Sequence, residues 1–326
     1  MRRLLITGGA GFIGSNFIRY ILDKYKDYHI INLDKLTYCG NPANLKGIAK
    51  HKNYEFVKGD IANPKLMERL VKNCDVIVNF AAETHVDRSI DDAAAFIKTN
   101  VFGTYTLLEA AKKFKTELFI QISTDEVYGS IAKGSFREED AMKPNSPYSA
   151  TKASGDLLAR SYYTTFGVPV IVTRSSNNFG PYQYPEKVIP LFITNALEDK
   201  KVPLYADGMN VRDWLFVEDN CEGIDIVMHK GHPGQAYNIG AGAEITNLEL
   251  THIILDILCK DRSLIKFVKD RPGHDKRYSL DITKMKDLGW YPRHDFRSAL
   301  ELAVGWYKKN VSWWKRLVKC RKNIKY

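Results

Sequence analysis

Residues 2–14 read RRLLITGGAGFIG. The apolar run LLIT is a short strand, Gly8, Gly11 and Gly14 follow it, and residues 12–25 carry helical periodicity. A strand that turns on glycines into a helix lets a phosphate group approach the backbone and the positive end of the helix. The next apolar run, HIINLD, ends in Asp34, twenty residues after Gly14. A carboxylate at that position accepts hydrogen bonds from a ribose diol and repels a 2′-phosphate, so the pattern favours NAD over NADP. Lys35 beside it works against that repulsion. The candidate cofactor residues around the turn are Gly8, Gly11, Phe12, Ile13, Gly14, Asp34, Lys35, Thr37, Asp60 and Ile61. Asp60 ends the third strand and reads either as an adenine contact or as a loop acid.

Working outward, YEFVKGD, DVIVNFA, ELFIQIST and PVIVTRSS read as further strands, separated by helical stretches near 64–73, 91–114 and 148–166. Ile- and Val-rich strands alternating with helices imply an α/β protein with a doubly wound parallel sheet of the Rossmann type. After Ser176 the pattern loosens, with prolines 181, 185, 190 and 203 and helices near 247–259 and 296–309. This part reads as a second, smaller substrate-binding domain. The expected division is 1–176 and about 211–235 for the dinucleotide domain, 177–210 and 236–310 for the second domain, and 311–326 for a basic tail.

The 326 residues carry a net charge of +10, but eight cations and no acid fall between Lys308 and Tyr326. The body is therefore close to neutral, which argues against a nucleic-acid groove. Five scattered cysteines without metal spacing fit packing residues in a reducing cytoplasm, and no metal site is expected. The N-terminus lacks the apolar core of a signal peptide, and no run reaches the length of a membrane span. In the tail, Val311, Trp314, Leu317 and Val318 form a stripe with cations around it. That stripe either caps the second domain or meets an anionic membrane or acidic partner. A chain ending at Asn310 is expected to keep its chemistry.

YSATK places Tyr148 and Lys152 on one helix face, four residues apart. A neighbouring ammonium is expected to lower the tyrosine pKa toward that of a usable base. STDEVYG, residues 123–129, sets Thr124, Asp125 and Glu126 where a strand runs out. Ligands of doubly wound sheets sit beyond the carboxyl ends of the strands, so a turn there can aim both acids into one crevice.

These pieces, with TGGAGFIGSNF, NLDKLTYCGN, AAETHVDRSI, TNVFGTYTLLEA, SSNNFGPYQYPEKVIP, VRDWLFVED and DRPGHDKRY, resemble the extended short-chain dehydrogenase/reductases. Within them, the dTDP-glucose 4,6-dehydratase family is the nearest match, to about residue 310. Thr84 stands where that family often has serine, and the span between Glu126 and Tyr148 is short. The resemblance implies bound NAD and dTDP-glucose as substrate. It makes Thr124, Tyr148 and Lys152 the oxidation residues, Glu126 the base at C5 and Asp125 the acid at C6. For Asp125 to act as an acid near neutrality, burial and its carboxylate neighbour must raise its pKa. The resemblance also implies cofactor contacts at Ala81, Glu83, Thr99 and Asn178. It implies substrate contacts at Thr84, Asn177, Lys187, Val188, Tyr205, Asn247 and His274, with Arg212 and Arg271 on a diphosphate. Helices 91–114 and 148–166 resemble those that form a homodimer interface in the family. UDP-glucose as substrate, an epimerase or decarboxylase of nucleotide sugars, and a catalytically idle NAD-binding scaffold are the alternatives. Epimerases of the family carry small residues where Asp125 and Glu126 stand.

Overall fold

The computed structural model describes residues 1–270 and 272–320. Its main sheet has seven parallel strands. In spatial order they are Ala236–Ile239, Val170–Ser175, Leu118–Thr124, Val76–Asn79, Arg2–Thr7, Tyr28–Asp34 and Tyr54–Lys58. The chain reverses direction across the sheet between Arg2–Thr7 and Val76–Asn79, the place where doubly wound sheets open a ligand crevice.

Strict alternation decides which helices cover which face. Leu4, Ile6, Val76, Val78, Ile120 and Ile122 meet Phe17, Ile18 and Ile21 of the helix Phe12–Lys24 and Ile224 and Val227 of the helix Val217–Lys230. Leu5, Ile77 and Phe119 point the other way, onto Met67, Leu107, Leu108, Ala159 and Tyr162. Both faces are dry, which is why these strands read as near-continuous apolar runs.

The second lobe has its own core, with Phe179, Ile193, Trp214, Phe216, Leu250, Ile254, Ala303 and Tyr307 at its centre. Asn177–Phe179, Val211–Phe216 and Glu244–Thr246 form a three-stranded sheet there, and Val202–Tyr205 pairs with Ile265–Val268.

The expected boundary is corrected at two places. Ala236–Ile239, assigned to the second domain from sequence, pairs with Val170–Ser175 as the seventh strand of the main sheet. Val211–Phe216, assigned to the first, pairs within the second lobe, and only the helix after it returns to the main sheet. Apolar periodicity marks a strand but not its neighbours.

Of the two readings of the tail, the structure favours the cap on the second domain. Val311–Cys320 is a helix of the fold. Trp314 is 1% exposed within the second-lobe core, and Val318 packs against that core. Trp314, Leu317 and Val318 of the stripe thus face protein, while Val311 is exposed. The last residues of the expected tail, 321–326, lie outside the described residues. Among the described residues no helix is long and apolar enough to cross a membrane.

Candidate active site

The glycine turn is built for close approach. Gly8 has φ +72°, and a Cβ there would lie 2.7 Å from the Ala81 nitrogen. A Cβ on Gly14 would lie 2.6 Å from the Gly8 carbonyl. Any side chain would fill the space between the strand end and the first helical turn, which is the cradle a pyrophosphate needs. Ala10 N–H donates to Asp34 Oδ2 at 2.9 Å and Leu36 N–H to Oδ1 at 2.7 Å. Burial raises the Asp34 pKa, and these two bonds oppose the rise. A carboxylate has about four acceptor sites, so Asp34 keeps capacity for a diol. Lys35, whose charge argued against this reading, is held by Asp60 at 2.8 Å. Burial pushes Asp60 up, but the Lys35 ammonium and the Ala62 N–H outweigh it and leave its pKa low. The pair cancels the local positive charge that a 2′-phosphate would use.

Leu118–Thr124 ends in a single tight turn, Asp125–Tyr128. Thr124 caps it: its hydroxyl accepts from Glu126 N–H at 3.3 Å and donates to Asp125 Oδ1 at 3.2 Å. Because the backbone leaves the strand here, the two acids no longer alternate across the sheet, and both line the cleft. Asp125 is 2% exposed, and its Oδ2 has no hydrogen-bond partner among the described residues. Burial first, then the charges of Glu126 and Asp213, push its pKa well above the usual carboxylate range. This is the direction an acid needs.

Pro147–Phe166 starts on a Ser146–Ser149 capping box with Pro147 in the first turn, which places Tyr148 at the cleft. The expected effect of Lys152 on Tyr148 is corrected. Burial, Glu126 and Asp125 hold the Tyr148 hydroxyl above its ordinary pKa, against the hydrogen bond to Thr124. Lys152 donates to the Ile122 carbonyl, and burial lowers its own pKa to about 8, opposed by Asp156. Burial and the neighbouring carboxylates thus act against the lowered tyrosine pKa expected from the spacing.

Asp156 and Arg174 were missed by the sequence reading. Asp156 Oδ2 accepts from Ser123 Oγ at 2.9 Å and from Arg174 Nε at 3.0 Å. Arg174 also donates to the Tyr128 hydroxyl at 2.7 Å. This buried network fixes the strand end against the Tyr148 helix. Its sequence signal was the continuation of the Tyr148–Lys152 spacing by four residues to Asp156.

One cleft at the carboxyl ends of the strands gathers Gly8, Gly11, Phe12, Ile13, Gly14, Asp34, Lys35, Thr37, Asp60, Ile61, Ala81, Glu83, Thr99 and Asn178. Thr124, Asp125, Glu126, Tyr148 and Lys152 line it too, as do Thr84, Asn177 and Lys187. Lys187 donates to the Thr84 carbonyl at 2.8 Å and so bridges the lobes. The buried Oδ1 atoms of Asn177 and Asn178 have no hydrogen-bond partner among the described residues.

The remaining substrate candidates do not line this cleft. Val188 opens the helix Val188–Leu197. Tyr205 meets His274 edge to face at 5.8 Å, and His274 Nδ1 lies 2.6 Å from Asp270 Oδ1. Arg212 is buried, stacks on Tyr278 at 4.4 Å and donates to the Asp275 carbonyl at 2.8 Å. Its charge opposes the rise in the Asp125 pKa, so it belongs to the electrostatic surroundings of the acids. Asn247 is buried, and its Oδ1 has no hydrogen-bond partner among the described residues. Arg271 lies outside the described residues. Cys39, Asn44, Tyr182, Trp313 and Leu317 also line the cleft and were not anticipated.

Residues 5–302 match the family model described as GDP-mannose 4,6 dehydratase. A dTDP-glucose 4,6-dehydratase of Streptomyces niveus is 51% identical over 320 residues, 97% of this chain and 95% of that protein. The chain belongs to the dTDP-glucose 4,6-dehydratase family. Another relative, a low-salt glycan biosynthesis protein of Haloferax volcanii, is 53% identical over 93% of this chain and 98% of its own length. The crystal structure of the dTDP-glucose 4,6-dehydratase of Bacillus anthracis in complex with NAD superposes with a TM-score of 0.92 at 54% identity, covering 97% of this chain and all of that one.

Proposed function

We propose that this chain is an NAD-dependent dTDP-glucose 4,6-dehydratase. It converts dTDP-glucose to dTDP-4-keto-6-deoxyglucose by oxidation at C4, loss of water across C5 and C6, and reduction at C6. The observation that carries the reading is Asp125, a buried carboxyl beside Glu126 with its pKa raised, in one cleft with Tyr148 and Lys152. The glycine cradle, Asp34 and the unpartnered Asn178 amide oxygen fit NAD. Bound there, the nicotinamide supplies the hydride acceptor at C4 and the donor at C6. Tyr148 Oη is the group placed to take the proton of the C4 hydroxyl, with Thr124 at its side; the positive charge of bound NAD⁺ would favour the phenolate that burial alone disfavours. The resulting ketone acidifies C5, whose proton goes to the Glu126 carboxylate. Asp125 delivers its proton to the departing C6 hydroxyl, which leaves as water. Reprotonation at C5 then completes the product with no net redox change. The diphosphate and base fall to the second lobe, where Arg212 and Asn247 lie, and we assign Arg271 to the same anion.

Purified protein, with no added NADH, should convert dTDP-glucose to a product lighter by one water, and faster than it converts UDP-glucose. Cofactor released on denaturation should be NAD(H). Absence of the water-loss product from both sugars would sink the dehydratase reading, and release of NADP(H) would sink that of Asp34.

We also propose a homodimer. Ile97, Phe102 and Tyr105 on one helix and Leu157, Tyr163 and Phe166 on its neighbour are exposed by 39–54%. Two adjacent helices that leave large apolar residues in water give a second copy apolar surface to cover. Wild-type chain should sediment as a dimer and Leu157→Asp as a monomer; a monomeric wild type would reject the assembly. The cysteines Cys39, Cys74, Cys221 and Cys259 are all free thiols. A cytoplasmic location suits them, and cell fractionation checks it.

A further inference from the structure

The helix Val311–Cys320 begins beyond residue 302, where the family model ends. Its two tryptophans point to different places. Trp314 sits in the second-lobe core, with its indole N–H donating to the Tyr307 carbonyl at 2.9 Å. Trp313 packs against the edge of that same core, and its indole N–H reaches across to the first lobe, donating to Asn44 Oδ1 at 2.9 Å. Asn44 in turn donates through Nδ2 to the Ala10 carbonyl at 2.9 Å, and Ala10 N–H is the group that holds Asp34. Two links therefore tie this helix to the glycine turn, and a third runs from the turn to Asp34. An aromatic set braces the contact: Trp313 meets Trp306 at 5.0 Å and Tyr182 at 6.1 Å, both edge to face, and Arg19 lies over the Tyr182 ring at 4.1 Å. Leu317, one helical turn beyond Trp313, lines the same cleft as Gly11, Asp34 and Gly40 and is not part of the second-lobe core.

We infer that this helix is the outer wall of the cofactor cleft, and that Trp313 and Leu317 are positioning residues that slow the release of bound cofactor. The inference rests on the reading of the cleft as the NAD site. The cradle binds from the inside, through the backbone of Gly8–Gly14. The wall acts from the outside, by covering apolar surface and by fixing the 39–44 segment against the turn. A wall of this kind acts mainly on the dissociation rate.

The test follows NAD release from the purified full chain after dilution, together with dTDP affinity and melting temperature. Leu317→Ala should release NAD about tenfold faster, with dTDP affinity and the melting temperature of the NAD-free chain unchanged and Leu317→Met close to wild type. Trp313→Ala should do the same or more, and Trp313→Phe, which keeps the ring and loses the donor, should fall between. If Trp313→Ala fails to fold because the ring also braces the lobe, Leu317→Ala still decides. NAD release within twofold of wild type in Leu317→Ala overturns the inference while leaving the NAD reading in place. A wild-type chain that neither carries NAD nor binds it on titration overturns both.

Discussion

Tyr148→Phe is expected to reduce turnover of dTDP-glucose by about a thousandfold or more, the upper part of the range for loss of a general base, and to show no reduced-nicotinamide absorbance at any stage. The hydroxyl is the group positioned to take the C4 proton, and oxidation precedes every later step, so nothing downstream can accumulate. The substitution leaves the fold alone. The ring stays buried against Phe96, and Thr124 keeps its bond to Asp125 Oδ1. Lys152 sets the pH dependence. Its pKa is lowered to about 8 by burial, so the ammonium that would help Tyr148 is present below that pH and lost as pH rises through it. The help therefore fades on the alkaline side, and a rate limb that falls near pH 8 should disappear in Lys152→Met along with most of the rate. Formation of reduced cofactor by Tyr148→Phe at the wild-type rate would remove Tyr148 from the role.

Asp125→Asn is expected to oxidise the sugar and then stop. Asparagine keeps the shape of the side chain and an oxygen for the Thr124 hydroxyl, but it has no proton to give the C6 oxygen. Elimination should slow by about 10²–10⁴-fold, so the reduced-nicotinamide signal should rise and persist. That signature separates Asp125 from Tyr148, whose loss prevents the signal, and from Glu126, whose change to Gln should block exchange of the C5 proton with solvent. The physical basis is the enclosure of Asp125. Burial and two neighbouring carboxylates, Glu126 and Asp213, push its pKa well above the usual carboxylate range, against the Thr124 hydrogen bond and the Arg212 charge. Wild-type turnover in Asp125→Asn, measured by loss of water from the substrate, would assign the acid elsewhere.

Much of this was legible in the chain because it depends on short spans of backbone. The strand, glycine turn and helix at residues 2–24, and Asp34 at the end of the next strand, are local patterns with fixed geometry. The Tyr148–Lys152 pair follows from helical spacing, and the two acids of STDEVYG follow from a strand that ends at Thr124. The raised Asp125 pKa was also foreseeable, since an adjacent carboxylate is written into the sequence.

Other features required the tertiary structure. Ala236–Ile239 and Val211–Phe216 are both legible as strands, yet one joins the main sheet and the other the small one. Periodicity says that a face is buried without saying against what. The state of Tyr148 is a balance between an ammonium four residues away and complete removal from water; spacing reveals the first, and only enclosure decides the second. Lys35 looked like a charge opposed to Asp34 until the fold placed Asp60 beside it. The tail stripe left open a cap on the second domain or a contact with a lipid surface or partner; the fold puts Trp314 in the lobe core and joins Trp313 to Asn44, 269 residues earlier in the chain. The sequence by itself determined the glycine cradle, the acids and the Tyr–Lys pair, because bonded neighbours hold them in place. The tertiary structure decided their protonation, the sheet to which each late strand belongs and the cover on the cleft, because these depend on which distant surfaces exclude water from one another.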